Sequence, residues 1–331
     1  MDRQTSAGMK TYSDLLQKLD RLAGVSILCV GDVMLDHFVY GEVTRVSPEA
    51  PVPVLDIQRE ESMLGGAGNV VRNLCSLGAQ VSFAACVGSD SGAAEVSAHL
   101  GALPNCRPSL VIEQDRRTTV KRRYLSHGQQ LLRADRETAK SIGAAAQKEL
   151  LEYYLEALPA CQAVVLSDYG KGVLSDDNTQ SLVTAAVRAG RQIVVDPKGR
   201  SYLRYHGASL IKPNTRELAE ATGLNVESPQ EATAAAQVIL RETGAGAVVV
   251  TRGPAGMMLV ENDRILAFPS QAREVFDVSG AGDTVAAVLA IAMGAGLFTE
   301  EAVFLANIAA GLVVAKVGTA VVTVDDIRSE L

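Results

Sequence analysis

A glycine-rich turn leading to an acidic residue is the segment with the clearest chemical potential. Residues 277–283 read DVSGAGD, and an Ala-rich apolar stretch follows. Glycines at a loop-to-helix junction leave backbone N–H groups free to converge on an anion, and the helix dipole adds partial positive charge. Asp283 falls in the first turn of the predicted helix, where its carboxylate is able to accept a proton from an attacking hydroxyl group. The segment therefore suits phosphoryl transfer, with Gly280, Ala281 and Gly282 as a candidate phosphate cradle and Asp283 beside it.

Two alternatives to a catalytic motif stay open. Asp283 would also complement the helix dipole, worth about 0.3–1 kcal/mol, and the glycines would also form an ordinary turn. GAGD resembles part of a dinucleotide fingerprint as well. Its position argues against a dinucleotide site, because a dinucleotide fold places its glycine loop after the first strand, where this sequence has Val30, Gly31 and Asp32.

A second glycine cluster, GGAGN at residues 65–69, precedes another predicted helix. Gly66 permits close approach of a ligand to the backbone, and Asn69 offers both a donor and an acceptor to sugar hydroxyl groups. The alternative is a glycine-rich helix N-terminus without a ligand.

Basic residues form a third candidate site. Alternate residues of a predicted strand share one face: Arg117, Thr119, Lys121 and Arg123. The partner strand of the same hairpin contributes Arg133, and the set suits an anionic sugar. Lys198 follows a strand at the sheet edge where ligands of open α/β sheets collect. The alternatives are edge-protecting charges on a solvated strand for the first group and an ordinary loop lysine for Lys198.

Short β-branched runs alternate with helix-compatible stretches and would position these groups. Strands are predicted at residues 25–30, 81–87, 163–167, 192–196, 209–212 and 247–251. Helices are predicted at residues 67–77, 93–103, 176–189 and 228–242. This alternation predicts an α/β fold with a mainly parallel central sheet flanked by helices.

Two segments interrupt that alternation and predict a small β-sheet lid. Residues 38–62 carry Pro48, Pro51 and Pro53, which suit an edge strand or a covering flap. Residues 110–135 contain a hairpin, with strands at 118–125 and 130–133. We expect one large α/β domain over residues 1–331, with the lid above the carboxyl edge of the large sheet. Exposed lid strands need covering, which predicts a homodimer paired through the lids.

Composition limits the class of protein. The 331 residues are 47% hydrophobic with a formal net charge of −7, so neither a nucleic-acid nor a membrane partner is expected. The five cysteines have no metal-binding spacing, and the four histidines are far apart, so reduced thiols are expected and a histidine metal site is not. The charged N-terminus lacks a secretory signal and no run reaches about 20 apolar residues, which predicts a soluble cytoplasmic protein.

GGAGN and DVSGAGD together resemble the N-terminal and C-terminal signatures of the ribokinase-like (PfkB) carbohydrate kinases. The two signatures occur in the right order, and the resemblance covers nearly the whole chain. It implies a ribokinase-like three-layer fold and ATP-dependent transfer of phosphate to a sugar hydroxyl group. It also implies that Asp283 is the base, that residues 280–282 form the anion hole, and that Asp36 and Asn69 hold substrate hydroxyl groups.

The resemblance further implies a nucleotide site. Residues 214–217 match the NxxE element of the family, in which Asn214 and Glu217 would organise Mg²⁺ and the nucleotide phosphates through water. The other candidate nucleotide-binding residues are Thr215, Arg216, Thr251, Gly253 and Asn307. A capping box formed by Asn214 and Glu217 is the structural alternative, and both roles can hold at once. ATP and Mg²⁺ are the expected cofactors, with a monovalent cation as a further candidate.

Four segments narrow the resemblance within the family: VGDVMLDHFVYGEVTRVSPEAPVPVL, LSDYGKGVL, VDPKG and FDVSGAGDTV. They resemble kinases that phosphorylate O1 of D-glycero-β-D-manno-heptose 7-phosphate on the route to the ADP-heptose of lipopolysaccharide. Similar kinases are often fused to a C-terminal adenylyltransferase, and because this chain stops at Leu331 we expect the nucleotidyl step to belong to another protein. The alternatives are a family kinase for ribose, fructose or another sugar phosphate, and a non-catalytic sugar-phosphate-binding regulator.

Overall fold

The computed structural model describes residues 15–272, 274–316 and 318–331. These residues form two β-sheets. The start of the charged N-terminus, residues 1–14, lies outside the described residues. The strands are β1 (Ser26–Gly31), β2 (Val33–Val46), β3 (Pro53–Gly66), β4 (Gln80–Gly88), β5 (Cys106–Glu113), β6 (Thr119–Ser126), β7 (Gln129–Arg136), β8 (Ala163–Ser167), β9 (Gln192–Asp196), β10 (Leu210–Ile211), β11 (Ala247–Thr251), β12 (Met257–Val260) and β13 (Ile265–Phe268). The helices are α1 (Ala67–Ser76), α2 (Ser91–Gly101), α3 (Ala144–Ala157), α4 (Asp176–Arg188), α5 (Thr215–Thr222), α6 (Pro229–Thr243), α7 (Ala281–Gly294), α8 (Thr299–Val314) and α9 (Val324–Ser329).

The large sheet has the strand order β13-β12-β11-β10-β9-β8-β1-β4-β5. Its strands run parallel from β5 to β11, and β12 and β13 are antiparallel additions at one edge. Side chains of β1 alternate between two buried clusters, with Ile27 and Cys29 in one and Leu28 and Val30 in the other. A parallel sheet buried on both faces explains why its strands are continuous apolar runs. The predicted α/β fold with helices on both faces of the sheet is confirmed.

The small sheet has the order β3-β2-β6-β7 and corresponds to the predicted lid. β6 and β7 form the predicted hairpin, which turns at His127 and Gly128 with φ of 48° and 79°. Such positive φ values at both central residues are typical of a tight hairpin turn.

The lid bounds differ from the prediction at two places. Its first pair of strands runs from Val33 to Gly66, so it extends beyond residues 38–62 at both ends. Residues 110–113 belong to β5, which pairs in parallel with β4 at the edge of the large sheet. The chain therefore crosses from the large sheet to the lid after Glu113, and the second lid segment starts later than residue 110.

The carboxyl edge of the large sheet collects polar residues from separate parts of the chain. Asp32, Asp168 and Lys212 directly follow β1, β8 and β10. Asp196 and Thr251 are the last residues of β9 and β11. Carboxyl ends of adjacent parallel strands meet at one edge, which is where ligands of open α/β sheets bind.

Cysteine pairing and helix length are two further features of the described residues. All five cysteines are free, three of them buried and two half-buried. Among the residues that the structure describes, no helix has the length and hydropathy needed to cross a membrane.

Candidate active site

Asp283 lies in the first turn of α7, as the glycine motif predicts. Gly280 is the N-cap residue of this helix and has a φ of 81°, a left-handed conformation that favours glycine. The N–H groups of Gly282 and Asp283 make no hydrogen bond within the described residues. The start of α7 therefore offers free donors to an anion.

Asp283 is 5% exposed, and its carboxylate accepts hydrogen bonds from two distant segments. Asn69 Nδ2 donates to one carboxylate oxygen over 2.8 Å, and the Tyr169 hydroxyl group donates to the other. Burial raises the pKa of Asp283 to about 7. The two hydrogen bonds act in the opposite direction and lower this pKa, because they stabilise the ionised carboxylate. A carboxylate with a pKa near neutrality suits a general base.

The orientation of Asn69 follows from its neighbours on α1 and near the C-terminus. Arg72 Nη1 donates to Asn69 Oδ1 over 3.2 Å and to the Thr319 backbone oxygen over 3.1 Å. Because the guanidinium group only donates, it selects the orientation of the amide in which Nδ2 faces Asp283. A Cβ atom on Gly280 would lie 2.7 Å from Asn69 Nδ2, so the turn before α7 requires glycine.

Asp36 and Gly66 lie on the lid side of this group. Asp36 is buried on β2 and forms an ion pair of 2.6 Å with Arg123 on β6. Gly66 ends β3 with a φ of 56°, and a Cβ atom there would lie 2.6 Å from the Asp32 backbone oxygen. Asp36 and Gly66, which the sequence assigned to substrate binding, thus lie on the lid strands β2 and β3.

Three basic residues of the lid have carboxylate partners. Lys121 Nζ lies 2.9 Å from Asp135, and Arg133 Nε lies 2.9 Å from the same carboxylate. Arg123 is paired with Asp36 as described above. A phosphate on the substrate would have to compete with these carboxylates for the lid cations.

A cavity of about 540 Å³ lies at the start of α7. This volume is within the range of small-molecule sites. Ala281 and Gly282 of the predicted anion hole line it, and so do seven residues that the sequence assigned to substrate or nucleotide: Lys198, Asn214, Thr215, Glu217, Thr251, Gly253 and Asn307. Asp283 directly follows two residues that line this cavity.

Asn214 and Glu217 form the capping box that was the structural alternative. Asn214 Oδ1 accepts from Glu217 N over 2.9 Å, and Glu217 Oε2 accepts from Asn214 N over 3.1 Å. Glu217 Oε1 also pairs with Lys198 Nζ at 3.1 Å. Lys198 thus lies with the nucleotide candidates rather than under the lid, because β9 ends at the cavity.

Arg216 does not line the cavity. Its side chain is 86% exposed and pairs with Glu220. Since Arg216 lies two residues past the helix N-cap, its side chain points away from the cavity.

A buried ion pair between Lys212 and Asp196 was not identified from the sequence. Lys212 Nζ lies 2.9 Å from Asp196 Oδ1, and both side chains are almost fully buried. A Cβ atom on Gly282 would lie 3.6 Å from Lys212 Nζ, so the ammonium group is next to the anion hole. Both residues lie where apolar strands end at the carboxyl edge, and that position is the signal that would have found them.

Within the described part of the chain, no group of three or more His, Cys, Asp and Glu side chains is placed to hold a metal ion. Mg²⁺ in nucleotide sites is held mainly by phosphate oxygens and water, with one or two carboxylates. Glu217 at the cavity wall fits that arrangement.

Residues 25–326 match the sequence profile of the pfkB family carbohydrate kinases. The chain belongs to the pfkB family. It is 50% identical over 320 residues to the bifunctional protein HldE of Paramagnetospirillum magneticum, covering 96% of this chain and 66% of that protein. It therefore spans less than two thirds of the length of this relative.

Solved structures share the pfkB fold at low sequence identity. The tetrameric inhibited form of phosphofructokinase-2 from Escherichia coli is 21% identical with a TM-score of 0.76, covering 92% of this chain and 97% of that one. Ribokinase from Arabidopsis thaliana, solved with ribose and ATP, is 19% identical with a TM-score of 0.70 over 92% of this chain and 97% of that one. The predictions of a ribokinase-like fold and of an ATP-dependent sugar kinase are confirmed.

Proposed function

We propose that this pfkB kinase transfers the γ-phosphoryl group of ATP to a hydroxyl group of a phosphorylated sugar, with Asp283 as the general base. The observation that carries the proposal is the buried Asp283 carboxylate, whose pKa burial raises to about 7 and which directly follows the cavity-lining residues Ala281 and Gly282. At pH 8 about nine tenths of such a carboxylate is ionised and able to accept a proton.

The residues around Asp283 supply the rest of the chemistry. The sugar hydroxyl group gives its proton to Asp283 as its oxygen attacks the γ-phosphorus in line. The free N–H groups at the start of α7 stabilise the charge on the transferred group, and each such donor is worth on the order of 10² to 10³ in rate. The Lys212 ammonium group, next to Gly282, adds positive charge on the same side.

ATP would lie in the cavity, with its phosphates toward α7 and its base near Asn307. Bound Mg²⁺ neutralises phosphate charge, and Asn214 and Glu217 would hold it through phosphate and water. One phosphofructokinase-2 structure contains potassium, so activity assays of this chain should vary the potassium concentration.

For the sugar we propose D-glycero-β-D-manno-heptose 7-phosphate, phosphorylated at O1 to give heptose 1,7-bisphosphate and ADP. The support is the similarity of four segments to kinases of that sugar, together with the sequence identity to relatives named as bifunctional HldE proteins. The lid cations Lys121, Arg123 and Arg133 are the proposed ligands of the substrate phosphate. Asp36, Gly66 and Asn69 are the proposed contacts of its hydroxyl groups.

An unphosphorylated sugar is the second candidate substrate. The observation that favours it is the pairing of Lys121, Arg123 and Arg133 with carboxylates, which compensates the charge that would attract a phosphate.

Consumption of ATP with Mg²⁺ against a panel of sugars distinguishes the two candidates. The panel contains D-glycero-D-manno-heptose 7-phosphate, mannose, fructose, fructose 6-phosphate and ribose. Selective turnover of the heptose phosphate supports the proposal. Selective turnover of an unphosphorylated sugar would contradict the proposed substrate but leave the proposed role of Asp283 as the base unchanged. Absence of turnover with every sugar would favour a regulator that binds without catalysis.

A matched pair of lid variants tests the phosphate ligands. Arg123→Met should raise KM for the sugar phosphate more than KM for any unphosphorylated sugar, because only the former loses an ion pair. Arg122→Met is the control, since neighbouring strand residues point to opposite faces and Arg122 lines a separate small cavity. Equal effects of the two variants on KM would remove Arg123 from the phosphate site.

We also propose that residues 1–331 form one kinase domain that dimerises through the lid. β3 and β7 are the edge strands of the small sheet, and the lid exposes apolar side chains: Val46, Val52, Ile57, Leu131 and Leu132. Light scattering at micromolar concentration should give the mass of a dimer, and Leu132→Glu should reduce it toward that of a monomer. A monomeric parent protein would contradict the proposal.

A further inference from the structure

The loop after β8 carries Tyr169, and two buried carboxylates fix its backbone. Asp32 Oδ2 accepts from Tyr169 N and Lys171 N, each over 2.9 Å, and Asp32 Oδ1 accepts from Val173 N over 3.1 Å. Asp168 Oδ1 accepts from Gly170 N over 2.8 Å. Four backbone N–H groups of residues 169–173 are thus bound to carboxylates at the sheet edge, which leaves Tyr169 little freedom to move.

The Tyr169 side chain separates the two halves of the site. The residue lines the cavity on one side, and on the other a Cβ atom on Gly66 would lie 3.4 Å from its Cδ2. Its hydroxyl group ends on the Asp283 carboxylate, on the oxygen that the Asn69 amide does not contact. Asn69 and Tyr169 therefore hold the carboxylate through both of its oxygens.

Hydrogen bonding determines which protonation state of Asp283 this arrangement favours. Burial raises the pKa of the Tyr169 phenol well above its usual value, so the phenol remains a donor throughout the working pH range. A donor stabilises a carboxylate in its ionised form. Burial favours the neutral acid, which cannot act as a general base. The hydrogen bonds from Tyr169 and Asn69 oppose that effect.

We propose that Tyr169 is a positioning residue that orients the Asp283 carboxylate toward the acceptor hydroxyl group and holds it in its ionised, proton-accepting form. This inference rests on the proposed role of Asp283 as the base. Asp32 acts one step further away, because it fixes the loop from which Tyr169 reaches the carboxylate.

Other charged or titratable groups face Asp283 from the elements packed around it. Asp196 at the end of β9 raises its pKa and Lys212 after β10 lowers it. Cys29 on β1 lies close by, and burial raises the pKa of that thiol so that it stays neutral. A Tyr169→Phe change removes none of these groups, so a change in the acid limb of the pH profile reports the loss of the phenol donor.

The test is the pH dependence of kcat/KM for Tyr169→Phe with the sugar that the parent enzyme uses. The acid limb of kcat/KM reports the ionisation of the free enzyme's base. A hydrogen bond to a charged group changes a pKa by about one unit or more, so the limb should move from near pH 7 to near pH 8. The rate at pH 7 should fall about fivefold, and the loss should be smaller at pH 9. A loss of equal size at every pH, or an unmoved limb, would overturn the inference.

Two further variants separate this inference from its premise. Tyr154→Phe is the matched control, because its hydroxyl group is also buried but donates to the Leu182 backbone oxygen over 3.0 Å, away from the site. It should leave the acid limb in place. If Asp283→Asn keeps its turnover, the proposed base falls and the inference with it. If Asp283→Asn is inactive while Tyr169→Phe leaves the limb unmoved, only the inference falls.

Should Tyr169→Phe fail to fold, biosynthetic replacement of tyrosine by 3-fluorotyrosine tests the same hydrogen bond. The fluorinated phenol is more acidic and a stronger donor, so the acid limb should move to lower pH. An unmoved limb in a folded, fluorinated enzyme would overturn the inference.

Discussion

Replacing Asp283 by Asn removes the proposed base while keeping the shape of the side chain. The amide oxygen still accepts from Asn69, and the residues that line the nucleotide cavity are unchanged. We therefore expect folding and ADP binding, measured by calorimetry, to stay close to those of the parent enzyme. Turnover should fall by about 10² to 10⁴, the usual contribution of a positioned base.

The ionisation of Asp283 adds a pH dependence to this prediction. With a pKa of about 7, roughly one tenth of the Asp283 carboxylate is ionised at pH 6 and about nine tenths at pH 8. The parent kcat/KM should therefore rise nearly tenfold over this interval, because only the ionised form accepts a proton. Asp283→Asn should lose both the rate and this dependence.

Asp326→Asn is the control for a role of Asp283 that is limited to the helix dipole. Asp326 also occupies the N3 position of a helix, α9, where its carboxylate forms a capping box with Thr323. Its replacement should cost on the order of 1 kcal/mol of stability, with no effect on turnover. If Asp283→Asn keeps turnover within about tenfold of the parent, proton transfer to Asp283 contributes less than a general base does, and Asp283 is not the base.

Two other changes test the surroundings of the base. Gly280→Ala should reduce turnover by about 10² or more, because its Cβ atom would lie 2.7 Å from the Asn69 amide. Gly296→Ala is the control, because Gly296 has the same φ of 81° and a Cβ atom there would have no atom within 4 Å. This control should cost only about 1–2 kcal/mol of stability. Equal turnover of the two variants would show that the close approach of Gly280 to Asn69 does not matter. Lys212→Met should lower the free energy of unfolding in urea by about 3–5 kcal/mol, since it leaves Asp196 buried and unpaired. Combining Lys212→Met with Asp196→Asn should recover much of the lost free energy of unfolding. A Lys212→Met variant as stable as the parent would refute the prediction.

Several features of the fold were predictable because they depend on local patterns. The strands that form the parallel part of the large sheet are mostly short apolar runs, and burial on both faces requires that composition. The hairpin of β6 and β7 follows from two strand-like runs around His127 and Gly128. The start of α7 follows from glycines before an apolar helix.

The sequence alone determined which chemical groups are present: a carboxylate beside a glycine-rich helix start, a second glycine cluster with Asn69, and a basic lid strand. Only the tertiary structure decided which of these groups meet. The bond between Asn69 and Asp283 joins residues 214 positions apart, and the contact of Tyr169 with Asp283 spans 114 positions. Such contacts depend on how α1, the loop after β8 and α7 pack at one sheet edge. No local pattern encodes that packing, which is why Tyr169 was missed. Asp196 and Lys212 lie at strand ends that the sequence does show, but their ion pair depends on the pairing of β9 with β10. Arg216 belongs to the NxxE segment, yet its side chain is exposed on the helix surface.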